Sequence, residues 1–329
     1  MKSIVKTLLA HKDKTVPILS FPSAQLLGVS VNALIHSPDL QAQGMLAIAK
    51  RCPVGASLHM MDLSVEADAF GAQIRFAEDE VPTVTKGVLE AIEDVDSLVV
   101  PSAREGRCAL YLQAVKKAKS MISDRPVFCG AIGPYSLAGR LFDMTELMMA
   151  CYDSPDEVHA LLKKTTAFLI DYLKGFKEAG ADGVILAEPA AGLLSPSLAA
   201  EFSMPYVKEI FDSIGDENFV LCYHNCGNAA SQMGADLAAL PADVFHFGNA
   251  VDIKALLPHF SSEQIVMGNL DPLLLKNGTK EEVEQTVKDI FAACSMYENF
   301  MLSTGCDVPA AASWENIDTY FETVTKLYQ

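Results

Sequence analysis

Short apolar runs alternate with longer amphipathic stretches along most of the chain. Each apolar run is continuous and ends in glycine, proline or a polar residue, which is typical of strands buried on both faces of a parallel sheet. Eight runs of this kind occur: VPILSF (16–21), SLVVPS (97–102), PVFCGAIG (126–133), GVILAEP (183–189), FVLCYHNC (219–226), VFHFGNA (244–250), IVMGNLDP (265–272) and FMLSTGCDVP (300–309).

Helical patterns fill the gaps between these runs. The longest covers residues 146–180, where residues 154–157 (SPDE) form a helix start and Gly180 a helix stop. Similar patterns cover 195–214 and 279–297. The alternation of buried strands with helices indicates an α/β protein with a parallel sheet.

A strand–helix unit repeated eight times predicts one (β/α)₈ TIM barrel that spans residues 1–329. The first predicted strand is followed by a long stretch, 22–96, which we expect to be an N-terminal insertion near the barrel mouth. Within it, residues 71–84 alternate polar and apolar positions as a hairpin does. A doubly wound open sheet is the alternative architecture.

Charge and composition narrow the class of protein. A net charge of −17 and a pI near 4.8 argue against a nucleic-acid partner, which requires a basic surface. No apolar run reaches the ~20 residues that span a bilayer, and the first residues lack a signal-peptide pattern. Together with eight cysteines, which we expect to be reduced thiols, these features predict a cytoplasmic protein without a membrane partner.

The ends of the predicted strands carry the chemistry, because reactive groups of a barrel gather at its C-terminal face. These ends hold Glu188, His224, Cys226, Asp271 and Cys306. His224 and Cys226 are two residues apart and so face the same side of a strand. With Cys306 they form one imidazole and two thiols, a suitable set for zinc that leaves a fourth position open. A core histidine beside packed cysteines is the alternative interpretation.

Five segments make the chain similar to the uroporphyrinogen decarboxylase superfamily over nearly its full length. Within it, the chain resembles the zinc-dependent, corrinoid-linked branch that includes methylcobalamin:coenzyme M methyltransferases. The segments are GPYSLAG (133–139), GADGVILAEPAAGLLSP (180–196), HNCGN (224–228), GNLDP (268–272) and STGCDVP (303–309). The fourth is shared with the decarboxylases, whereas the third and fifth are typical of the methyltransferases.

The resemblance implies roles for the strand-end residues. It makes His224, Cys226 and Cys306 the zinc ligands. Glu188 is a candidate for a displaceable fourth ligand or an acid–base residue, with a helix-capping role as the alternative. Asp271 is a candidate for orienting a ligand, although a structural role in its Asp-Pro turn is the stronger interpretation. The residues that contact a corrinoid are not identified.

The resemblance also implies an activity, a methyltransferase (EC 2.1.1.-) that uses zinc and a corrinoid such as methylcobalamin. The favoured zinc-bound substrate is a thiol such as coenzyme M, and a methyl ether or methylamine is the alternative. The corrinoid is expected on a separate protein, because the chain lacks the D-x-H-x-x-G pattern of corrinoid domains. Uroporphyrinogen decarboxylase is a further alternative. It is disfavoured because the segment from residue 16 to 28 lacks the arginines that grip substrate carboxylates.

Overall fold

The computed structural model describes residues 1–329, and its main feature is a curled sheet of seven parallel strands. The sheet contains β1 (Ser57–Leu58), β4 (Val127–Ile132), β5 (Gly183–Ala187), β6 (Val220–Asn225), β7 (Val244–Phe247), β8 (Ile265–Leu270) and β9 (Phe300–Thr304); a separate hairpin contains β2 (Gln73–Arg75) and β3 (Thr83–Lys86). Within the large sheet the strands follow one another in chain order. A doubly wound sheet reverses its strand order, so the TIM-barrel-like α/β prediction is confirmed.

Sixteen helices surround the sheet, and none combines the length and apolar composition that crossing a membrane requires. Their bounds are α1 Ser3–Ala10, α2 Ser23–Leu27, α3 Val31–Ile35, α4 Pro38–Arg51, α5 Val65–Ala69, α6 Gly106–Met121, α7 Pro134–Leu141, α8 Met144–Asp153, α9 Pro155–Glu178, α10 Pro196–Phe202, α11 Met204–Ile214, α12 Gly234–Ala238, α13 Ile253–Leu256, α14 Pro272–Asn277, α15 Lys280–Cys294 and α16 Trp314–Tyr328. Short 3₁₀ helices cover Ile92–Ser97, Pro189–Leu193, Asn228–Gln232 and Leu257–His259.

The first predicted strand, residues 16–21, is buried but forms no strand ladder. Individual hydrogen bonds connect it to β9 on one side, and on the other side the residue before it bonds to the chain just before β1. The Ser303 hydroxyl donates to the Val16 carbonyl (2.9 Å), and the Gly55 amide donates to the Thr15 carbonyl (2.9 Å). This segment therefore occupies the gap between the two edges of the curled sheet.

The second predicted strand is wrong. Residues 97–102 form no strand, Val99 is 80% exposed, and Lys164 donates to three nearby carbonyls, including that of Leu98 (2.6 Å). The strand in this place is β1, which pairs with β4 and lies inside the range predicted as an insertion, 22–96. The sequence of an apolar run does not show whether the run is buried. Strand β1 is too short to produce a periodic pattern of apolar and polar residues.

The rest of the stretch before α6 includes the predicted hairpin. Strands β2 and β3 pair antiparallel within the predicted residues 71–84, with β3 continuing to Lys86. The hairpin's second strand lies against α7 and lines the same cavity as Cys226, at the C-terminal ends of the sheet. The extent of the single domain, residues 1–329, stays a prediction.

The interior of the sheet changes from apolar to polar towards the C-terminal ends of the strands. Alternate residues of a strand point to the same side of the sheet. On the interior side, Cys222, Val244 and Met301 belong to one apolar cluster. Two residues further along the same strands come His224, His246 and Ser303, all buried. Because side chains alternate along a strand, these three polar side chains also face the interior, where they form the layer nearest the C-terminal ends of the strands.

A buried ion pair fixes the segment that leaves β1. Arg107, on α6, forms an ion pair with Asp62, whose side chain is fully buried. The Tyr111 hydroxyl also donates to Asp62 (2.7 Å), and Arg107 donates to the Ser64 hydroxyl (3.1 Å). Removing one partner of such a pair leaves the other charge buried without compensation, which is strongly destabilising.

We expect Arg107→Met to lower the free energy of unfolding by about 3–5 kcal/mol, because it leaves the Asp62 carboxylate without its cation. Chemical denaturation followed by circular dichroism measures this change. The matched control is Arg75→Gln, which removes an exposed ion pair with Glu80 (3.3 Å) and should cost less than about 1 kcal/mol. Equal effects of the two substitutions would contradict the assignment of Arg107 as a structural anchor.

Candidate metal centre

Three predicted side chains meet at the C-terminal ends of β6 and β9. One ligand atom each of His224, Cys226 and Cys306 lies within 4.8 Å of the other two. The Cys306 Sγ and His224 Nε2 atoms are 3.9 Å apart. Ligands of one tetrahedral zinc lie about 3.5–3.8 Å from each other, given ligand distances of about 2.0–2.3 Å. The donor types and their spacing therefore fit a zinc ion.

The register of the sheet fixes the orientation of the His224 ring. His224 and His246 are direct partners in the β6–β7 ladder, and their Nδ1 atoms are 2.7 Å apart. The His246 Nε2 atom lies 3.0 Å from the Ser303 hydroxyl, which itself donates to the Val16 carbonyl. Both histidines are buried, and burial lowers the pKa of His246 well below its usual value.

This chain of hydrogen bonds determines where the protons lie. Since the Ser303 hydroxyl gives its only proton to a carbonyl, it must accept from His246 Nε2–H. The neutral His246 ring then accepts at Nδ1 from His224 Nδ1–H. His224 is left with a free lone pair at Nε2, the atom near Cys306 Sγ. A neutral imidazole binds a metal ion through such a lone pair, so His224 is in the form that a metal site requires.

The two thiols differ in acidity because they lie together. A hydrogen bond from Cys306 lowers the pKa of Cys226 to about 7, although burial opposes this effect. The same hydrogen bond, together with burial, raises the pKa of Cys306 to about 12. One thiolate is therefore accessible near neutral pH, and thiolate is the metal-binding form of cysteine.

Glycines allow the backbone around Cys226 to pack closely. A Cβ atom on Gly227 would lie 2.4 Å from the Gly192 Cα, and a Cβ atom on Gly248 would lie 2.5 Å from the Cys226 Cα. No side chain fits at either place without moving the backbone. Cys226 also lines an open cavity of about 750 Å³, which makes it the member of the cluster that faces this space.

Glu188 lies at the end of β5 and is fully buried. Its Oε1 atom accepts from the amides of Tyr135 (2.7 Å) and Ser136 (3.2 Å) and from the Ser203 hydroxyl (3.4 Å). The carboxylate thus binds the first turn of α7, and burial raises its pKa to about 7. Glu188 is not one of the three clustered residues, so its role as a fourth ligand or acid–base group stays a prediction.

Asp271 caps a helix. Its Oδ1 atom accepts from the Leu273 amide (2.9 Å) at the start of α14, as the turn interpretation predicts. The preceding Asn269 donates to the carbonyls of Gly248 (3.0 Å) and Val251 (2.8 Å), which ties β8 to the loop after β7. A role for Asp271 in orienting a ligand stays a prediction.

Sequence reasoning missed His246 and Ser303, although a signal for both was present. His246 is two residues after Val244 within the buried run VFHF, and Ser303 is two residues after Met301. A polar residue in phase with the interior positions of a buried strand requires a partner. The strand ladder supplies that partner, and a single sequence does not give the register.

A model of the uroporphyrinogen decarboxylase (URO-D) family matches residues 16–327. The chain is 28% identical to "Methylcobamide:CoM methyltransferase MtbA" of Methanosarcina acetivorans over 300 residues, which cover 86% of this chain and 84% of that protein. It is 26% identical to uroporphyrinogen decarboxylase of Coxiella burnetii over 306 residues, or 89% of this chain and 82% of the other. The likeness to MtbA supports a methyltransferase within this family.

A solved structure described as a methyltransferase from Methanosarcina mazei has the same fold. It superposes with a TM-score of 0.86 at 22% identity, and the match covers 100% of both chains. At this identity the likeness concerns the fold alone.

We expect Glu188 to make the protein less stable as pH rises through neutrality. Its folded pKa of about 7 exceeds its ordinary value of 4.5, so its stabilising effect is complete below about pH 4.5 and is lost as pH rises through about 7. In the wild type, the free energy of unfolding should therefore fall by about 3 kcal/mol as pH rises through this range, and Glu188→Gln should not show this fall. Urea titrations at pH 5 and pH 8 measure it, with the exposed Glu217→Gln as control. The same pH dependence in wild type and Glu188→Gln would contradict the expectation.

The family model covers residues 16–327, which is nearly the entire chain. The chain belongs to the uroporphyrinogen decarboxylase (URO-D) family.

Proposed function

We propose that this chain is a zinc-dependent methyltransferase that moves a methyl group between a corrinoid and a zinc-bound substrate, favoured as a thiol such as coenzyme M. The observation that carries the proposal is the convergence of one imidazole and two thiols within 4.8 Å. The likeness to MtbA, a methylcobamide:CoM methyltransferase, supports the same function.

The residues of the chain have distinct tasks in this proposal. His224 Nε2, Cys226 Sγ and Cys306 Sγ hold the zinc, and three protein ligands leave a position open for substrate. Zinc, when bound, lowers the pKa of a substrate thiol and keeps it as a nucleophilic thiolate at neutral pH. Cys226 faces the 750 Å³ cavity, so we infer that the substrate reaches the centre from that side.

The choice of a thiol follows from the ligand set. Two thiolates donate more negative charge to a metal than three imidazoles do, which makes the metal a weaker Lewis acid. A weaker Lewis acid is better suited to holding a thiolate than to activating a methyl ether or methylamine. The corrinoid would come from a separate protein, which we infer docks at the barrel mouth.

The test measures metal content and methyl transfer in the same preparation. We expect one zinc per chain and loss of methylcobalamin absorbance when coenzyme M is added. Zinc without thiol methylation would favour the ether or amine substrate instead. Decarboxylation of uroporphyrinogen, or the absence of zinc, would contradict the proposal.

We expect His224→Ala and Cys306→Ala each to lose zinc and methyl transfer while the protein stays folded, because each removes one of three ligands. Metal analysis and circular dichroism on purified variants measure both properties. Cys294→Ala is the matched control, since Cys294 is a buried cysteine outside the cluster. A variant with full zinc and normal turnover would show that the ligand set is wrong.

We expect His246→Phe to weaken zinc binding by about 10- to 100-fold, because the acceptor that fixes the His224 ring is lost. Competition with a chelating dye measures the zinc affinity. His246→Asn keeps a side-chain acceptor and should recover part of the affinity. Unchanged zinc affinity in His246→Phe would contradict the role of the hydrogen-bond chain.

A further inference from the structure

Two of the eight cysteines can be reached from solvent. Cys226 and Cys306 are partly exposed, whereas the other six cysteines are buried. Cys226 also lines the open cavity of about 750 Å³. Oxidation of thiols follows their exposure. A small oxidant dissolved in water therefore meets this pair before it meets the buried thiols.

The two sulfur atoms lie close to each other. They belong to the group whose ligand atoms are all within 4.8 Å of one another, although residues 226 and 306 are far apart in the chain. A disulfide requires sulfur atoms about 2.05 Å apart. Rotation about the Cα–Cβ bond of each cysteine moves the sulfur and not the backbone. The pair is therefore close enough to react once one member is oxidised.

The surrounding backbone holds the two cysteines in place. Cys226 directly follows β6, and Cys306 comes two residues after the end of β9. Gly305, which precedes Cys306, is packed so closely that a Cβ atom there would lie 2.5 Å from the Asn249 amide nitrogen. Groups held together in this way react with each other far faster than groups that meet by diffusion. The packing therefore favours a disulfide within one chain over a disulfide between chains.

The cysteines nearest to the pair in sequence are not competing partners. Cys222 faces the interior of the sheet and packs in its apolar cluster. Cys294 is the buried last residue of α15. Neither lines the cavity beside Cys226.

We propose that Cys226 and Cys306 form a redox modification site, in which hydrogen peroxide joins the two sulfurs as a disulfide and so removes two of the three ligands of the metal centre. The disulfide rests on the geometry of the pair, and its effect on zinc rests on the proposed function. A thiol reductant restores both ligands by thiol–disulfide exchange. The redox state of the pair thereby controls whether the centre can hold zinc.

Each step of this oxidation balances in atoms and electrons. The Cys226 sulfur attacks one oxygen of the peroxide, so that an S–O bond forms, the O–O bond breaks and the thiol proton leaves with the other oxygen as water. The Cys306 sulfur then attacks the sulfur of this sulfenic acid. The S–S bond forms, the S–O bond breaks, and the hydroxyl leaves with the Cys306 proton as water. The pair loses the two electrons that the peroxide gains.

The test treats the whole chain, with zinc bound and without it, with hydrogen peroxide. The remaining thiols are then blocked with N-ethylmaleimide under denaturing conditions and counted by mass spectrometry. We expect the zinc-free chain to lose two thiols and to keep the six buried ones. Zinc bound beforehand should prevent this loss, because both sulfurs are then engaged as ligands.

A peptide map identifies the two thiols that are lost. Chymotrypsin cleaves after Tyr223 and after Phe300, which separates each member of the pair from the buried cysteine that precedes it. We expect one cross-linked product that contains Cys226 and Cys306. A disulfide to any other cysteine, a cross-link between chains, or intact thiols after peroxide treatment would overturn the proposal.

Cys306→Ser separates the two chemical steps. It removes the thiol that completes the disulfide, so Cys226 should remain a sulfenic acid that dimedone traps. Cys294→Ala is the matched control, because it removes a buried thiol outside the pair, and it should form the disulfide as the wild type does. The wild-type peptide map decides the pairing even where a variant does not fold.

Zinc uptake, measured by competition with a chelating dye, tests the consequence for the metal centre. The disulfide-bonded protein should take up no zinc, and dithiothreitol should restore the uptake. Undiminished uptake by the disulfide-bonded protein would overturn the control of zinc loading.

This inference and the proposed function fail separately. A disulfide in a chain that binds no zinc even when reduced would support the redox pair and contradict the proposed function. Zinc binding and methyl transfer in a chain that forms no disulfide would contradict the redox pair alone.

Discussion

The hydrogen bond between the Nδ1 atoms of His224 and His246 is the interaction on which the candidate metal centre depends. It exists because β6 and β7 are paired in a register that places the two residues side by side. Burial keeps His246 neutral, and the Ser303 hydroxyl sets which of its nitrogens carries the proton. The Nε2 lone pair of His224 is thus determined by three strands of the barrel together with the Val16 carbonyl of the buried segment 16–21.

Helix α7 lines the cavity beside Cys226. Its first turn is held by Glu188 at the end of β5, and Arg140 lies one residue before its end. Glu188 also donates its backbone amide to the His224 carbonyl (2.9 Å). The first turn of α7 is therefore connected to the strand that carries His224 through one buried residue, Glu188.

Much of the fold could be predicted from hydrophobic pattern, because strands buried on both faces are continuous apolar runs. The six predicted strands from residue 126 onward coincide with β4 to β9. The beginning of the chain could not be predicted in this way. Residues 97–102 are apolar but exposed, whereas β1 is two residues long and is followed by the polar His59 and Asp62. Burial at these places is decided by neighbouring elements, which the local pattern does not contain.

The sequence by itself determined the parallel α/β barrel and indicated His224, Cys226 and Cys306 as a candidate donor set. The barrel follows from local periodicity. The donor set follows from the position of these residues at strand ends together with the resemblance to the methyltransferase branch of the family. Only the tertiary structure decided the partner of each donor. The pairing of His224 with His246 and the binding of Glu188 to α7 depend on register and on packing between distant segments. Hydrogen bonding acts over only about 3 Å, so these partners are set by which strands and helices lie next to each other in the folded chain.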